Sequence, residues 1–391
     1  MQEGLGTMLY HRLKGDRAIW LIVALLTVLS LLAVYSATGS WAYVKKGGNT
    51  EYFLVKQFTL IASGLFLMWV CYRIHYTRYS RLAPMLLIFA IGLLIYTQLF
   101  GMEINQAKRW IAIPFTSITF QTSDFAKLAL IIFVARSIAK KQDHIKDFNS
   151  AFVPIILPII LVCGLIAPSD LSTAILLFVT SFMMMFIGRI DVKYLIFTVM
   201  MGMVAFGLLF LVGKMFLPDA IRVDTWEVRV RDFIENQEGS HQIQQAKIAI
   251  ANGKWFGLGL GKSIQRNFLP AAFSDCIYAV ICEEYGLIGG FAVMILYLWL
   301  LFRTIAIVTK SPKTFGAMLA VGLGMNIVIQ ALANLAVSVH LVPVTGLTLP
   351  LVSWGGTSIL FTSITIGIIL SVSKYIEQQQ DKSPAPATSK S

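Results

Sequence analysis

The stretch Asn267-Phe-Leu-Pro-Ala-Ala-Phe-Ser-Asp275 closes the one long polar interruption of this chain and sets a carboxylate, Asp275, where the next apolar run opens. A carboxylate at a membrane-water boundary can take a proton from a hydroxyl or hold a divalent cation. Pro270 can end the loop, and Ser274 can cap a helix whose first turn then carries Asp275. About two turns deeper stand Glu283 and Glu284, and an intramembrane carboxylate is costly enough to signal function by default. The bland alternative is that Asp275 complements a helix dipole while one glutamate meets a basic partner.

Other polar groups could join that aspartate. Upstream, Gly253-Lys-Trp-Phe-Gly257-Leu-Gly259-Leu-Gly261-Lys262-Ser263 is no phosphate loop, because Phe256 stands where that pattern needs glycine and no strand precedes it. Its glycines suit a re-entrant loop folded close against a bundle, with Lys262 and Arg266 open to an anion. Lys108 and Arg109 directly precede Trp110, as snorkelling anchors or as a grip on a lipid phosphate. Gln121-Thr-Ser-Asp124-Phe-Ala-Lys127 reads as a helix start whose i,i+3 pair is either structural or functional. Asp170 opens another run as a cap or a site residue. Asn326, Gln330, Asn334 and Ser338 recur every four residues, a polar stripe expected to bond neighbouring helices or, second, to line a cavity. The stretch 343–358 is apolar yet full of helix breakers, so it is expected to wall a site rather than loop through solvent.

The elements that must position these groups are membrane spans. Of 391 residues 57% are hydrophobic and 13% charged, with mean hydropathy +0.74, far from a soluble globular chain. Apolar runs at 18–38, 53–73, 82–100, 124–138, 151–167, 171–188, 193–216, 274–302, 315–340 and 357–375 predict an all-α polytopic membrane protein of about ten transmembrane helices, the fourth and fifth shortest. Lys and Arg cluster in every second connection, which places both termini in the cytoplasm and the loops at 101–123, 168–170, 216–273 and 341–356 outside. The net charge of +12 is therefore mainly a topology signal, and no basic, aromatic-interleaved domain supports nucleic-acid binding. The first span lacks a cleavage site and is expected to stay as an anchor. Cys71, Cys163, Cys276 and Cys282 form no CxxC pair and read as core residues, indicating neither metal nor disulfide. The expected division is a membrane domain over 1–376, with 216–273 as a large extracytoplasmic loop between helices 7 and 8, and a disordered cytoplasmic tail over 377–391.

Taken together these segments resemble the SEDS family of bacterial membrane proteins. TGLTLPLVSWGGTS is close to that family's TGLxLPxxSxGGS signature and NFLPAAFSD to its LPxxxTD signature. NQAKRW, QTSDFAK, PSDLST, VRVRDF and HQIQQAKIAIANGKWFGLGLGKS fall in the family's order, so the resemblance covers nearly the whole membrane part. Departures are mild: the family usually has Pro at Thr122, Glu at Asp124, Gly at Ser172 and Thr at Ser274. The N-terminal LKGDRAIW is nearer the cell-division branch than the elongation branch.

The resemblance implies peptidoglycan glycosyltransfer at the outer membrane face, joining lipid II into glycan strands for septal wall synthesis. It implies an inverting reaction in which Asp275 matches the essential aspartate. Arg109, Lys127, Arg229 and Lys262 are then candidate cations for the departing diphosphate, Ser353 a substrate-side residue, and Asp124, Glu283 and Glu284 supporting groups. No cofactor is required by this reading, although Mg2+ or Mn2+ bridging Asp275 and the diphosphate is the alternative to a base. Implied partners are a class B penicillin-binding protein, because the chain offers no transpeptidase domain, and other division proteins. Alternatives are a lipid II flippase and a non-catalytic division scaffold.

Overall fold

A computed structural model describes residues 14–39, 41, 50–104, 107–112, 119–215, 223–235, 239–269 and 272–380. All ten apolar runs form helices, in the expected order. The first three are α1 (Arg17–Ala37), α2 (Thr50–Arg73) and α3 (Thr77–Phe100). Then come α4 (Thr122–Lys140), α5 (Val153–Ile166, entered through a π turn at Phe148–Phe152), α6 (Leu171–Ile187) and α7 (Val192–Met215). Two helices lie inside the long loop, α8 (Val223–Glu235) and α9 (His241–Gly253), before α10 (Ile277–Lys310), α11 (Thr314–Ser338) and α12 (Thr357–Gln380). The protein is a polytopic all-α membrane protein. Among the described residues eight helices are long and apolar enough to cross a bilayer unaided. The other two spans fall short for separate reasons: α6 has only 17 residues, and α4 carries Asp124, Lys127, Arg136 and Lys140.

Burial explains how a helix as charged as α4 is tolerated. It is enclosed along most of its length, packed against α3, α11 and α5 rather than facing lipid. Among the long helices α11 is the most enclosed and α7 the least. Small residues let backbones approach: a Cβ at Gly367 of α12 would lie 2.4 Å from Met68 O of α2, and one at Gly324 of α11 2.5 Å from Thr304 Cγ2 of α10. At the opposite end from the long loop, Asp16 caps α1 through Ala18 N–H at 3.0 Å and pairs with Arg303 of α10 at 2.6 Å.

Three parts differ from the sequence expectation. In the 101–123 connection the described residues form a small antiparallel sheet before α4, β1 (Met102–Ile104), β2 (Ala107–Ala112) and β3 (Thr119–Gln121), with Trp110 opposite Gln121. Ser274 caps nothing, because α10 begins at Ile277 and Asp275 lies in the turn before it. Finally, α12 runs on to Gln380, past the expected tail boundary, and 381–391 lie outside the described residues.

The long loop is fastened to a break in α10. Gly286 sits at φ 71°, ψ −173°, so the ladder is interrupted and the peptide groups around it need other partners. The glycine-rich stretch supplies them: Leu258 N–H donates to Glu283 O at 2.9 Å and Gly259 N–H to Glu284 O at 3.0 Å. In return Leu287 N–H reaches Lys254 O at 2.8 Å and Ile288 N–H reaches Trp255 O at 3.3 Å. Side chains are excluded by distance, since a Cβ at Gly257 would lie 2.1 Å from Glu284 O and one at Gly253 1.9 Å from Cys282 O. The loop is thus re-entrant at an irregular point of the bundle, where freed backbone is satisfied by protein.

Candidate functional site

The connections α1–α2, α3–α4, α5–α6, α7–α10 and α11–α12 meet at one end of the bundle around a cavity of about 610 Å³. Its lining brings together Arg109 from β2, Asp124 and Lys127 from α4, Asp170 before α6, Arg229 from α8 and Asp275 before α10. It also includes Lys56 of α2, a cation that sequence reasoning did not single out.

Each cation is held in its own way. Arg109 places NH1 3.1 Å from Asp170 Oδ2 and donates from Nε to Ser169 O at 2.7 Å, while Asp170 Oδ1 caps α6 through Thr173 N–H at 3.2 Å. Asp170 is therefore both cap and ion-pair partner. Lys127 Nζ lies 2.9 Å from Asp124 Oδ1 and donates to Gln330 Oε1 at 3.3 Å, all three residues buried. Arg229 donates to Val344 O at 3.1 Å and lies within electrostatic reach of Arg109, Asp170 and Asp275.

The aspartate is fixed through its backbone by the polar stripe and the breaker-rich wall. Asn334 Nδ2 donates to Asp275 O at 2.9 Å and to Leu347 O at 2.7 Å. Ser353 Oγ donates to Ser274 O at 2.6 Å and accepts Leu349 N–H at 2.8 Å, and Trp354 N–H reaches Phe273 O at 2.8 Å. The stripe therefore does both things foreseen for it: Asn334 bonds neighbouring segments, whereas Gln330 also lines the cavity. Ser353 is buried beneath the aspartate's turn and does not line the cavity.

The Asp275 side chain is half-buried, and its Oδ1 is closed off with no hydrogen-bond partner among the described residues. Oδ2 accepts a hydrogen bond from Gln242 Nε2 of α9 at 3.3 Å. Burial pushes its pKa above the usual carboxylate range, outweighing its own amide, Gln242 and the Arg229 charge, which pull it down. Desolvation thus makes this carboxylate a better base than the start of a helix would. Gln242 gave no signal in the sequence, because a glutamine in a polar loop helix looks like any solvated residue. Asn334 was visible through the stripe's spacing.

Lys262 and the two glutamates lie elsewhere. Lys262 is exposed and absent from the lining. Glu283 accepts from Ser263 Oγ and from Gln265 N–H at 3.2 Å, and Glu284 from Ser36 Oγ and from Ser263 N–H at 3.3 Å. These carboxylates pin the re-entrant loop to α10 and α1 through neutral donors, and among the described residues neither forms an ion pair with a basic side chain. Among the described residues no group of three or more His, Cys, Asp and Glu gathers into a protein-only metal site.

A multi-span helical bundle whose loops converge on a charged cavity at one end defines a membrane protein that handles a polar group presented at the bilayer surface. The chain belongs to the cell cycle protein family of FtsW, RodA and SpoVE, the SEDS family, whose defining pattern matches residues 16–378. It is 32% identical over 373 residues to stage V sporulation protein E of Bacillus subtilis, covering 94% of this chain and 99% of that one. It is 33% identical over 373 residues to the probable peptidoglycan glycosyltransferase FtsW of Geobacter sulfurreducens, covering 93% and 96%. Among solved structures it is similar to a chain of a peptidoglycan synthase complex that coordinates polymerization and crosslinking, with TM-score 0.72, 23% identity and coverage of 93% and 98%. It is similar also to the rod shape determining protein RodA of Thermus thermophilus, with TM-score 0.65, 23% identity and coverage of 92% and 97%.

Proposed function

We propose that this protein is a peptidoglycan glycosyltransferase that polymerises lipid II at the outer face of the cytoplasmic membrane. The observation that carries this reading is the single cavity shared by a desolvated Asp275 and the cations Arg109, Lys127, Arg229 and Lys56. Asp275 takes the proton of the attacking sugar hydroxyl; the new C–O bond forms at the anomeric carbon with inversion as the bond to the diphosphate breaks. The electron pair leaves with undecaprenyl pyrophosphate, whose charge the cations neutralise in a partly dry site. Ser353 and Asn334 act indirectly, holding the turn that carries the aspartate.

A divalent cation fits the same residues, since the Oδ1 of Asp275 has no hydrogen-bond partner among the described residues and Mg2+ commonly binds one carboxylate plus substrate phosphates. Bound there, it would supply further charge for the leaving group. The names borne by the relatives support glycosyltransfer and a role in division, and the related synthase complex supports pairing with a class B penicillin-binding protein. The alternating Lys and Arg excess supports cytoplasmic termini. The test is polymerisation of purified lipid II by the protein with its partner. Persistent absence of glycan product, with both proteins folded and associated, would return the flippase and scaffold readings.

A further inference from the structure

A second cavity, of about 200 Å³, adjoins the first, and the two share Arg229 as a wall. Gln242 lines the second cavity while its amide donates to Asp275 on the rim of the first, so one side chain separates the new space from the aspartate. By the liquid volume of water the space holds about seven molecules, the scale of one sugar ring. Asp232 and Phe233 come from α8, Ser240 precedes α9, and His340 follows α11.

The wall is built rather than incidental. His340 takes a left-handed backbone conformation at φ 58° and sets its ring 5.2 Å from the Phe233 ring, edge to face. Across from it Gly239, at φ 82°, leaves the room: a Cβ there would lie 3.3 Å from His340 Cε1. Burial, helped by Lys247, holds the His340 pKa below the usual value, which keeps the imidazole neutral, able both to donate and to accept. The chemistry differs from that of the first cavity. Apart from the shared Arg229, the groups named here are a carboxylate, a hydroxyl, an amide, a neutral imidazole and an aromatic ring, which suit sugar hydroxyls and an apolar ring face rather than a diphosphate.

Glycosyl transfer needs two sugars on either side of one base, and the cations assign the donor diphosphate to the first cavity. Resting on the function proposed above, we infer that the second cavity receives the acceptor: an N-acetylhexosamine whose free hydroxyl reaches Asp275 past Gln242. Its proton passes to the Asp275 carboxylate, its oxygen bonds to the donor's anomeric carbon, and the diphosphate departs with the electron pair of the broken bond. Asp232, Ser240 and His340 are thus binding residues for one of the two substrates only.

The test separates the substrates in the complex with the partner transpeptidase, with a lipid-linked glycan as saturating donor and lipid II varied as acceptor. Asp232→Asn and His340→Asn should each raise the acceptor KM about tenfold, with a much smaller effect on kcat and on the donor KM. Asparagine is chosen at 340 because it tolerates the left-handed backbone. A turnover-free check labels Ser240→Cys with a small maleimide, mapped to residue 240 by mass spectrometry. Lipid II should slow the labelling, and undecaprenyl pyrophosphate without sugars should not. Acceptor KM unchanged in both variants, or labelling indifferent to lipid II, overturns the subsite even if the wild type polymerises normally. A wild type that makes no glycan removes instead the function on which the subsite rests.

Discussion

Gln242 Nε2 stands 3.3 Å from Asp275 Oδ2 and 2.8 Å from Cys276 Sγ, so helix α9 of the long loop is tied to the residues that open α10. A neutral amide donating to a carboxylate favours its ionised form, while burial opposes that form and prevails. Gln242 is therefore a positioning residue. It holds one carboxylate oxygen and restrains a pKa already raised.

Replacing Gln242 by Leu keeps bulk and removes the donor. A hydrogen bond to a charged group contributes about 1.5–3 kcal/mol, so kcat should fall by about ten- to a hundredfold. The direction in pH follows from the sign: Asp275 must be ionised to act as base, and losing a bond to its ionised form raises its pKa further. The acid limb of the rate profile should therefore lie at higher pH in Gln242→Leu than in the wild type. A pH–rate series on both proteins measures it, and a lowered plateau with an unmoved limb would reduce Gln242 to packing.

The two paired cations need different substitutions. Arg109 uses NH1 on Asp170 and Nε on Ser169 O, a fork that lysine cannot reproduce. Arg109→Ala should lower polymerisation on the order of a hundredfold, with little recovery in Arg109→Lys. Lys127→Ala would strand Asp124 as a buried, unpaired carboxylate and cost about 3–5 kcal/mol of stability. Lys127→Met combined with Asp124→Asn removes both charges together. That double variant should keep its melting temperature near wild type while losing polymerisation, whereas full activity would make the pair purely structural.

The sequence carried the spans, because ten apolar runs separated by alternating basic clusters admit little else in a bilayer. It also carried Asp275 and Lys127, charges at the start of apolar runs where burial needs a reason, and Arg109 beside an interfacial tryptophan, while Arg229 rested on the family resemblance. Lys262 looked equivalent on the same ground, yet it is exposed away from the cavity, since proximity along a glycine-rich loop does not fix which way that loop faces. Gln242 and Lys56 were illegible for the opposite reason: their importance comes entirely from what folds against them. The glycines were read correctly as close-approach residues, but only the break at Gly286 reveals what they approach.

Gly286→Ala tests that seating. The substitution sets a Cβ 2.2 Å from Trp255 O at a backbone conformation, φ 71°, that side chains rarely adopt. Strain of this kind costs about 1–3 kcal/mol before the clash is counted. The re-entrant stretch should lift from α10, seen as a lower melting temperature and faster amide exchange at Leu258 and Gly259. Unchanged protection at those two amides would contradict the role given to the break.

Orientation can be read with one thiol. The connections expected to be cytoplasmic lie at the end of the bundle away from the cavity, so the positive-inside rule predicts that Gln244 of α9 lies outside the cell. Gln244→Cys should react with an impermeant maleimide added to intact spheroplasts. Reaction only after the membrane is opened would invert the topology and place the cavity on the cytoplasmic side.

Asp275→Asn bears on the chemistry most directly. Asparagine preserves shape and can still meet Gln242 through its side-chain oxygen, while the backbone contact from Asn334 at 2.9 Å is untouched. What disappears is the capacity to take a proton and the negative charge that a divalent cation would need. Folding should survive, and because burial disfavours the ionised carboxylate, the neutral side chain should if anything raise stability at neutral pH, with the gain fading as pH falls through the aspartate's raised pKa. Glycan synthesis from lipid II should collapse. Asp275→Glu should retain at most a trace, since one added methylene displaces the carboxylate from the donor of Gln242 and from the acceptor hydroxyl. A folded Asp275→Asn protein that binds its partner and polymerises at the wild-type rate would strike out Asp275 both as base and as metal ligand.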